Sequence, residues 1–183
     1  MTHVDFPPPD RDDVLNYLRP GDVLTHCFRP FPNAPLYGNG SIREAVTQAR
    51  ERGIIFDLGH GGGSLSFQVS RKMLEQDFLP DTISSDVHLM SVDGPAFDIL
   101  VTMSKFLCLG MPLMDVIRAS TTRPAEAIQR PDLGNLQVGS PGDAAVLRIE
   151  EGRFEYYDVK KELLLGDKRM IAEKMVVKGK IWR

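Results

Sequence analysis

Apolar and polar positions along this chain repeat with two different periods, and the places where the period changes mark its elements. DRDDVLNYL, Asp10 to Leu18, reads as a helix, and the apolar run VLTHCF, Val23 to Phe28, as a strand. Pro20-Gly21 separates them. A loop rich in Pro, Asn and Gly follows over 29–40. Ile42, Ala45, Val46 and Ala49 fall at i, i+3, i+4 and i+7, one face of a helix. Ser41 with Glu44 forms a capping-box pattern that predicts its start, and Gly53 suits its end. IIFDL, Ile54 to Leu58, predicts a short buried strand, and GHGGGS, Gly59 to Ser64, a turn into a helix over 65–76. TISSD, Thr82 to Asp86, reads as another strand, and Ala96 to Leu109 as a helix closed by Gly110. Pro112 and Pro124 each suit the first turn of a further helix.

Strand, loop and helix in repeated order predict βαβ units around a parallel sheet, an α/β fold. The last forty or so residues break that order. AAVLRI (Ala144 to Ile149), RFEYYDV (Arg153 to Val159) and KMVVKGKIW (Lys174 to Trp182) read as strands of an antiparallel appendage. The expected division is therefore 1–138 and 139–183.

Composition narrows the function classes. With 183 residues, 42% hydrophobic and 26% charged, the chain has the make-up of a globular domain with a small appendage. A net charge of −3 implies no basic face, so no nucleic-acid partner is expected. No apolar run approaches the ~20 residues of a membrane span, and MTHVDFPPPD lacks a signal-peptide pattern. Two cysteines, Cys27 and Cys108, are too few for a disulfide framework. These features set the cytoplasm as the expected compartment.

Four polar residues stand at the C-terminal ends of successive strand candidates: His3, His26, His60 and Asp86. Their intervals of 23, 34 and 26 residues match a β/α unit of ~30. In a β/α barrel such strand ends converge on one mouth, where active sites form. Neutral imidazole and carboxylate are ligands of hydrolytic zinc sites. One histidine at a strand end more often serves structure, but four in phase with the β/α period point to a polar site. The GHGGGS turn either holds a substrate carboxylate with backbone N–H groups or is a tight turn needing positive φ. Cys27, next to His26, should face the helices, because strand neighbours point to opposite faces. Asp57 either orients a neighbour or faces water. His88, two residues past Asp86, either touches substrate or is a loop histidine without a role, and Lys160, Lys161 and Glu162 read as a solvated turn.

HVDFPPP, GDVLTHCF, FDLGHGGGSLSF, PDTISSDVH, TMSKFLCLGMPL and TTRPAEAIQRPDLGNLQVGSPGDAAVL together resemble the amidohydrolase superfamily, in its deacetylase and dihydroorotase-like branch. The resemblance implies the C-terminal half of a TIM-type (β/α)8 barrel, strands five to eight, with part of a small β-sandwich. It implies zinc, one or two divalent metals in the intact family. His3 and His26 match its metal-ligand positions, and Asp86 its metal-binding, proton-moving aspartate. His60, with Gly61 and Gly62, falls where substrate contact is expected. The family's first-strand His-x-His pair and bridging fourth-strand lysine are absent, so the ligand set is incomplete. The implied activity is hydrolysis of an amide or ester of a small acyl substrate, or of a cyclic amide. The alternative from another class is a non-catalytic half-barrel that binds or assembles. A half-barrel's open edges would also invite a second copy of the chain.

Overall fold

The computed structural model describes residues 1–182. Its elements, in chain order, are α1 (Arg11–Tyr17), β1 (Val23–Leu24), α2 (Glu44–Glu51), β2 (Ile55–Phe56), α3 (Phe67–Leu74), α4 (Ile99–Cys108), α5 (Leu113–Ser120), α6 (Thr122–Ala127), β3 (Ala144–Tyr157), β4 (Leu163–Val177) and β5 (Lys180–Ile181). Among the described residues, no helix is long and apolar enough to cross a membrane.

Four extended segments run parallel in chain order, as the repeated strand–helix pattern predicts. β1 pairs with β2. Thr2 bridges Leu24 on one side, and Asp57 bridges Thr82 on the other. The ladder continues past the assigned strands through Cys27 N to Asp57 O, Leu58 N to Thr82 O and His60 N to Ser84 O. The core lies between these segments and the helices. Leu24, Phe28, Phe56, Leu58, Phe67 and Phe106 are almost wholly buried there.

Helix boundaries differ from the pattern reading where side chains find other partners. The Ser41 hydroxyl donates to Asn39 Oδ1 rather than capping, and Ile42 bridges Leu36. α2 therefore starts at Glu44, behind Arg43. Its end is as expected. Gly53, at φ +88°, donates to Arg50 O while Ile54 donates to Ala49 O, a Schellman closure. α4 starts later than expected, because Asp98 accepts from Val101 N and caps it.

The C-terminal region is antiparallel, but two long strands replace most of the three short ones expected. β3 runs continuously over 144–157, with register shifts between Val146 and Leu147 and between Glu151 and Phe154. β4 includes 163–173, which the pattern reading leaves out, and β5 pairs only with its end. The sheet packs on α4 through β4, where Met170 N donates to Ser104 Oγ.

Candidate active site

The site forms where the parallel segments end. At the end of β1 the chain turns at His26, whose φ is +61°. Buried Arg11 holds the His26 carbonyl with Nη2 at 3.1 Å, and Arg29 N donates to it at 3.2 Å. Burial pushes the Arg11 guanidinium down to about 10. The imidazole is then fixed by a second contact, Nδ1 at 2.7 Å from Gly59 O. A carbonyl only accepts, so Nδ1 carries the hydrogen and Nε2 keeps its lone pair. Burial lowers the His26 pKa from its ordinary value, and the nearby His3 adds to this against the Gly59 bond. The ring is therefore neutral, with a free donor atom, the state a metal ligand requires.

Gly59 is itself held from below. Asp57 is buried and accepts from Thr25 Oγ1 at 2.6 Å, Thr82 Oγ1 at 2.6 Å and Ser84 Oγ at 2.8 Å. The Ser84 hydroxyl in turn accepts from Gly59 N at 3.2 Å. Asp57 thus ties three parallel segments together and, through Ser84 and Gly59, sets the orientation of His26. Of the two sequence readings of Asp57, the structure shows the orienting one. Glycine is needed here twice over. Gly59 has φ +51°, and a Cβ on it would lie 2.7 Å from His26 Nδ1.

His3 and His26 meet edge to face, with ring centroids 4.4 Å apart. Both line a cavity of about 620 Å³, together with Asp86, Arg29, His88, Gly62, Gly63 and Lys160. Asp86 is exposed, has φ +46°, and packs over Gly61, where a Cβ would fall 2.5 Å from its Oδ2. The structure therefore brings His3, His26 and Asp86 to one cavity. Among the described residues, however, no three histidine, cysteine or carboxylate side chains stand close enough to enclose a metal ion unaided. The imidazoles and the carboxylate that line the cavity are donor types that suit a divalent metal.

His60 goes elsewhere. It is fully buried and not on the cavity wall. Gly59 and Gly61 both take positive φ, which swings the intervening side chain back toward α4. There His60 Nδ1 donates to Gly61 O at 2.9 Å, and Nε2 accepts from Lys105 Nζ at 2.7 Å. Lys105 gives its other two hydrogens to Pro95 O at 2.6 Å and Tyr157 O at 2.8 Å. Burial pushes Lys105 down to about 7, opposed by Asp158. Burial and then the Lys105 charge push His60 down to about 4. Of the glycines, Gly61 is buried and Gly62 lies on the cavity wall.

Three further residues lie on this wall, of which the sequence points only to His88. His88 approaches Gly62, and its Nδ1 accepts from Met90 N at 3.3 Å. Arg29 donates to Val4 O and, at 3.0 Å, to Asp5 Oδ1. Lys160 belongs to the β3–β4 turn, distant in sequence. Only the His88 position, two residues past Asp86, carried a signal for it.

No protein-family model matches the chain. A protein of Brucella anthropi named deacetylase is 37% identical over 158 residues, covering 86% of this chain and 39% of that protein. The chain spans between 39% and 50% of the length of the curated relatives it matches. The crystal structure of an adenine deaminase superposes with a TM-score of 0.95 at 28% identity, over 98% of this chain and 50% of that one. That of a dihydroorotase superposes with a TM-score of 0.87 at 34% identity, over 98% of this chain and 49% of that one. In both sequence and fold, the chain resembles deacetylases and dihydroorotases of the amidohydrolase superfamily, over about half of their length.

Proposed function

We propose that this chain carries part of the active site of a hydrolase that cleaves amide or ester bonds of small acyl compounds, in the manner of a deacetylase. One observation carries this reading: a neutral His26 with Nε2 free, beside His3 and sharing a cavity with Asp86 at the ends of parallel segments. The curated relatives named deacetylase support it.

His3, His26 and Asp86 are the residues that would hold a divalent metal, zinc in our reading, and it would supply Lewis acidity and a more acidic water. Asp86 takes the proton that the attacking water loses and passes it to the leaving nitrogen or oxygen. Its exposure to the cavity and its lack of any ion-pair partner among the described residues leave it free to do so. Gly59 orients the His26 ring, and Gly62 offers backbone to the substrate. We read the four parallel segments as strands five to eight of a barrel, residues 139–183 as part of its β-sandwich, and the cytoplasm as its compartment. A cyclic-amide hydrolase is the second reading, favoured by the dihydroorotase likeness.

The test is hydrolysis of N-acetyl and O-acetyl compounds by the purified chain with added Zn²⁺, against Asp86→Asn and His26→Asn. Metal-dependent release of acetate, lost in both variants, is expected. Activity that survives Asp86→Asn would remove Asp86 from the proton transfer. Turnover of dihydroorotate in place of acetyl compounds would favour the second reading.

A further inference from the structure

The β3–β4 turn reaches the cavity, although its sequence reads as a solvated turn. Val159 and Lys160 both lie on the wall, next to Gly62, Gly63 and Ser64. The turn is fixed there by Asp158, which is 2% exposed. Asp158 Oδ1 accepts from Lys160 N at 2.8 Å and Glu162 N at 2.9 Å, and Oδ2 accepts from Phe67 N at 2.9 Å. Val159 N donates to Leu65 O at 3.2 Å, and Glu162 pairs with Arg71. The backbone of Lys160 is thus bound to the segment that leaves the glycine turn.

Two cations line the cavity, and they differ in commitment. Arg29 is buried, bonded to Val4 O, paired with Asp5 and stacked on Phe6 at 5.4 Å. Lys160 is exposed, and among the described residues no carboxylate stands within ion-pair distance of its ammonium. Asp86 is the matching uncommitted anion, over Gly61 at the strand ends. The cavity is therefore polarised, with free negative charge where the parallel segments end and free positive charge on the β3–β4 turn.

We propose that Lys160 is a specificity-determining residue, which makes this cavity select acyl compounds that bear a carboxylate. The carboxylate faces the β3–β4 turn, and the acyl group lies toward His3, His26 and Asp86. This orientation rests on the hydrolase reading; recognition of the anion does not. The long flexible stem of lysine lets one ammonium follow carboxylates at somewhat different distances from the acyl carbon.

The test reads binding without turnover. N-acetylglycine and N-acetylalanine are titrated against their neutral carboxamides, followed by the NMR shifts of the Gly62 and Gly63 amides. We expect each acid to bind about threefold to tenfold more tightly than its amide, the range spanned by an exposed ion pair and a charge-assisted hydrogen bond. Lys160→Met abolishes that preference without changing amide affinity, and Lys160→Arg keeps it. Matching melting curves check that each variant is folded. Equal affinity for acid and amide, a preference that survives Lys160→Met, or no saturable binding of either acid overturns the proposal. If the hydrolase reading alone is wrong, the preference persists with no acetate released.

Discussion

His26 and Asp86, two of the site residues at segment ends, hold backbone conformations that L-residues avoid, at φ +61° and +46°. Such strain costs on the order of 1–3 kcal/mol per residue and persists only where surrounding structure enforces it. Arg11 and Gly59 enforce it at His26. Replacing Asp86 by Gly and by Ala separates backbone strain from side-chain chemistry. Asp86→Gly should be more stable than Asp86→Ala by about 1 kcal/mol in urea denaturation, because only Gly adopts positive φ freely. Neither should release acetate. At His60 the sign of a pH effect follows from burial, which lowers its folded pKa to about 4. Between that value and the ordinary ~6.5, the unfolded chain binds a proton that the folded chain refuses. Stability should therefore fall as pH drops through this window, by at most about 3 kcal/mol. His60→Gln should flatten the slope of melting temperature against pH over that range; an unchanged slope would remove His60 as the cause. Spacing made His3, His26 and Asp86 legible in the sequence. It could not show which way the His60 side chain turns, since that depends on two glycine φ values, nor that Lys160 meets the cavity from another element.

At the scale of elements, the sequence was clear where one apolar face decides. α2 buries Val46 and Ala49 as its periodicity predicts, and Gly53 closes it. Its start was not clear, because Ser41 had a nearer partner in Asn39 than the helix N-terminus. The β3–β4 pair was harder. Both strands expose most positions, so alternation is weak, and two register shifts break it further. Gly166 sits inside β4 where α4 and β3 press close. A Cβ at that position would lie 2.6 Å from Cys108 Sγ and 2.8 Å from Tyr156 Cε2. Gly166→Ala should thus lift the sheet from α4 and cost roughly 1–3 kcal/mol by overpacking. Thermal melting followed by tyrosine near-ultraviolet dichroism would show it. Beneath the site, Asp57→Ala should be costlier still, because it strands two buried hydroxyls, Thr25 and Thr82, at about 1–3 kcal/mol each before relaxation, and frees the half-buried Ser84. A wild-type urea midpoint for Asp57→Ala would show that the carboxylate does not join the segments.

Over the whole molecule, Leu89, Leu136 and Val138 are strongly exposed. Exposed apolar side chains of this size favour association between chains. Sedimentation equilibrium at micromolar concentration should show association, and a clean monomer would rule it out. One interior contact has a longer reach. Lys105 gives one hydrogen each to the loop before α4 at Pro95, to β3 at Tyr157 and to the glycine turn at His60. These three points belong to different regions, and the contact adds to the ties that Asp158, Val159 and Met170 already make between them. Joined in these ways, the parallel layer and the antiparallel sheet should lose their structure in a single cooperative transition. With methionine in its place, one of the ties between the two layers is gone, and amide hydrogens of β3 and β4 should exchange faster relative to those of the parallel segments than they do in the parent chain.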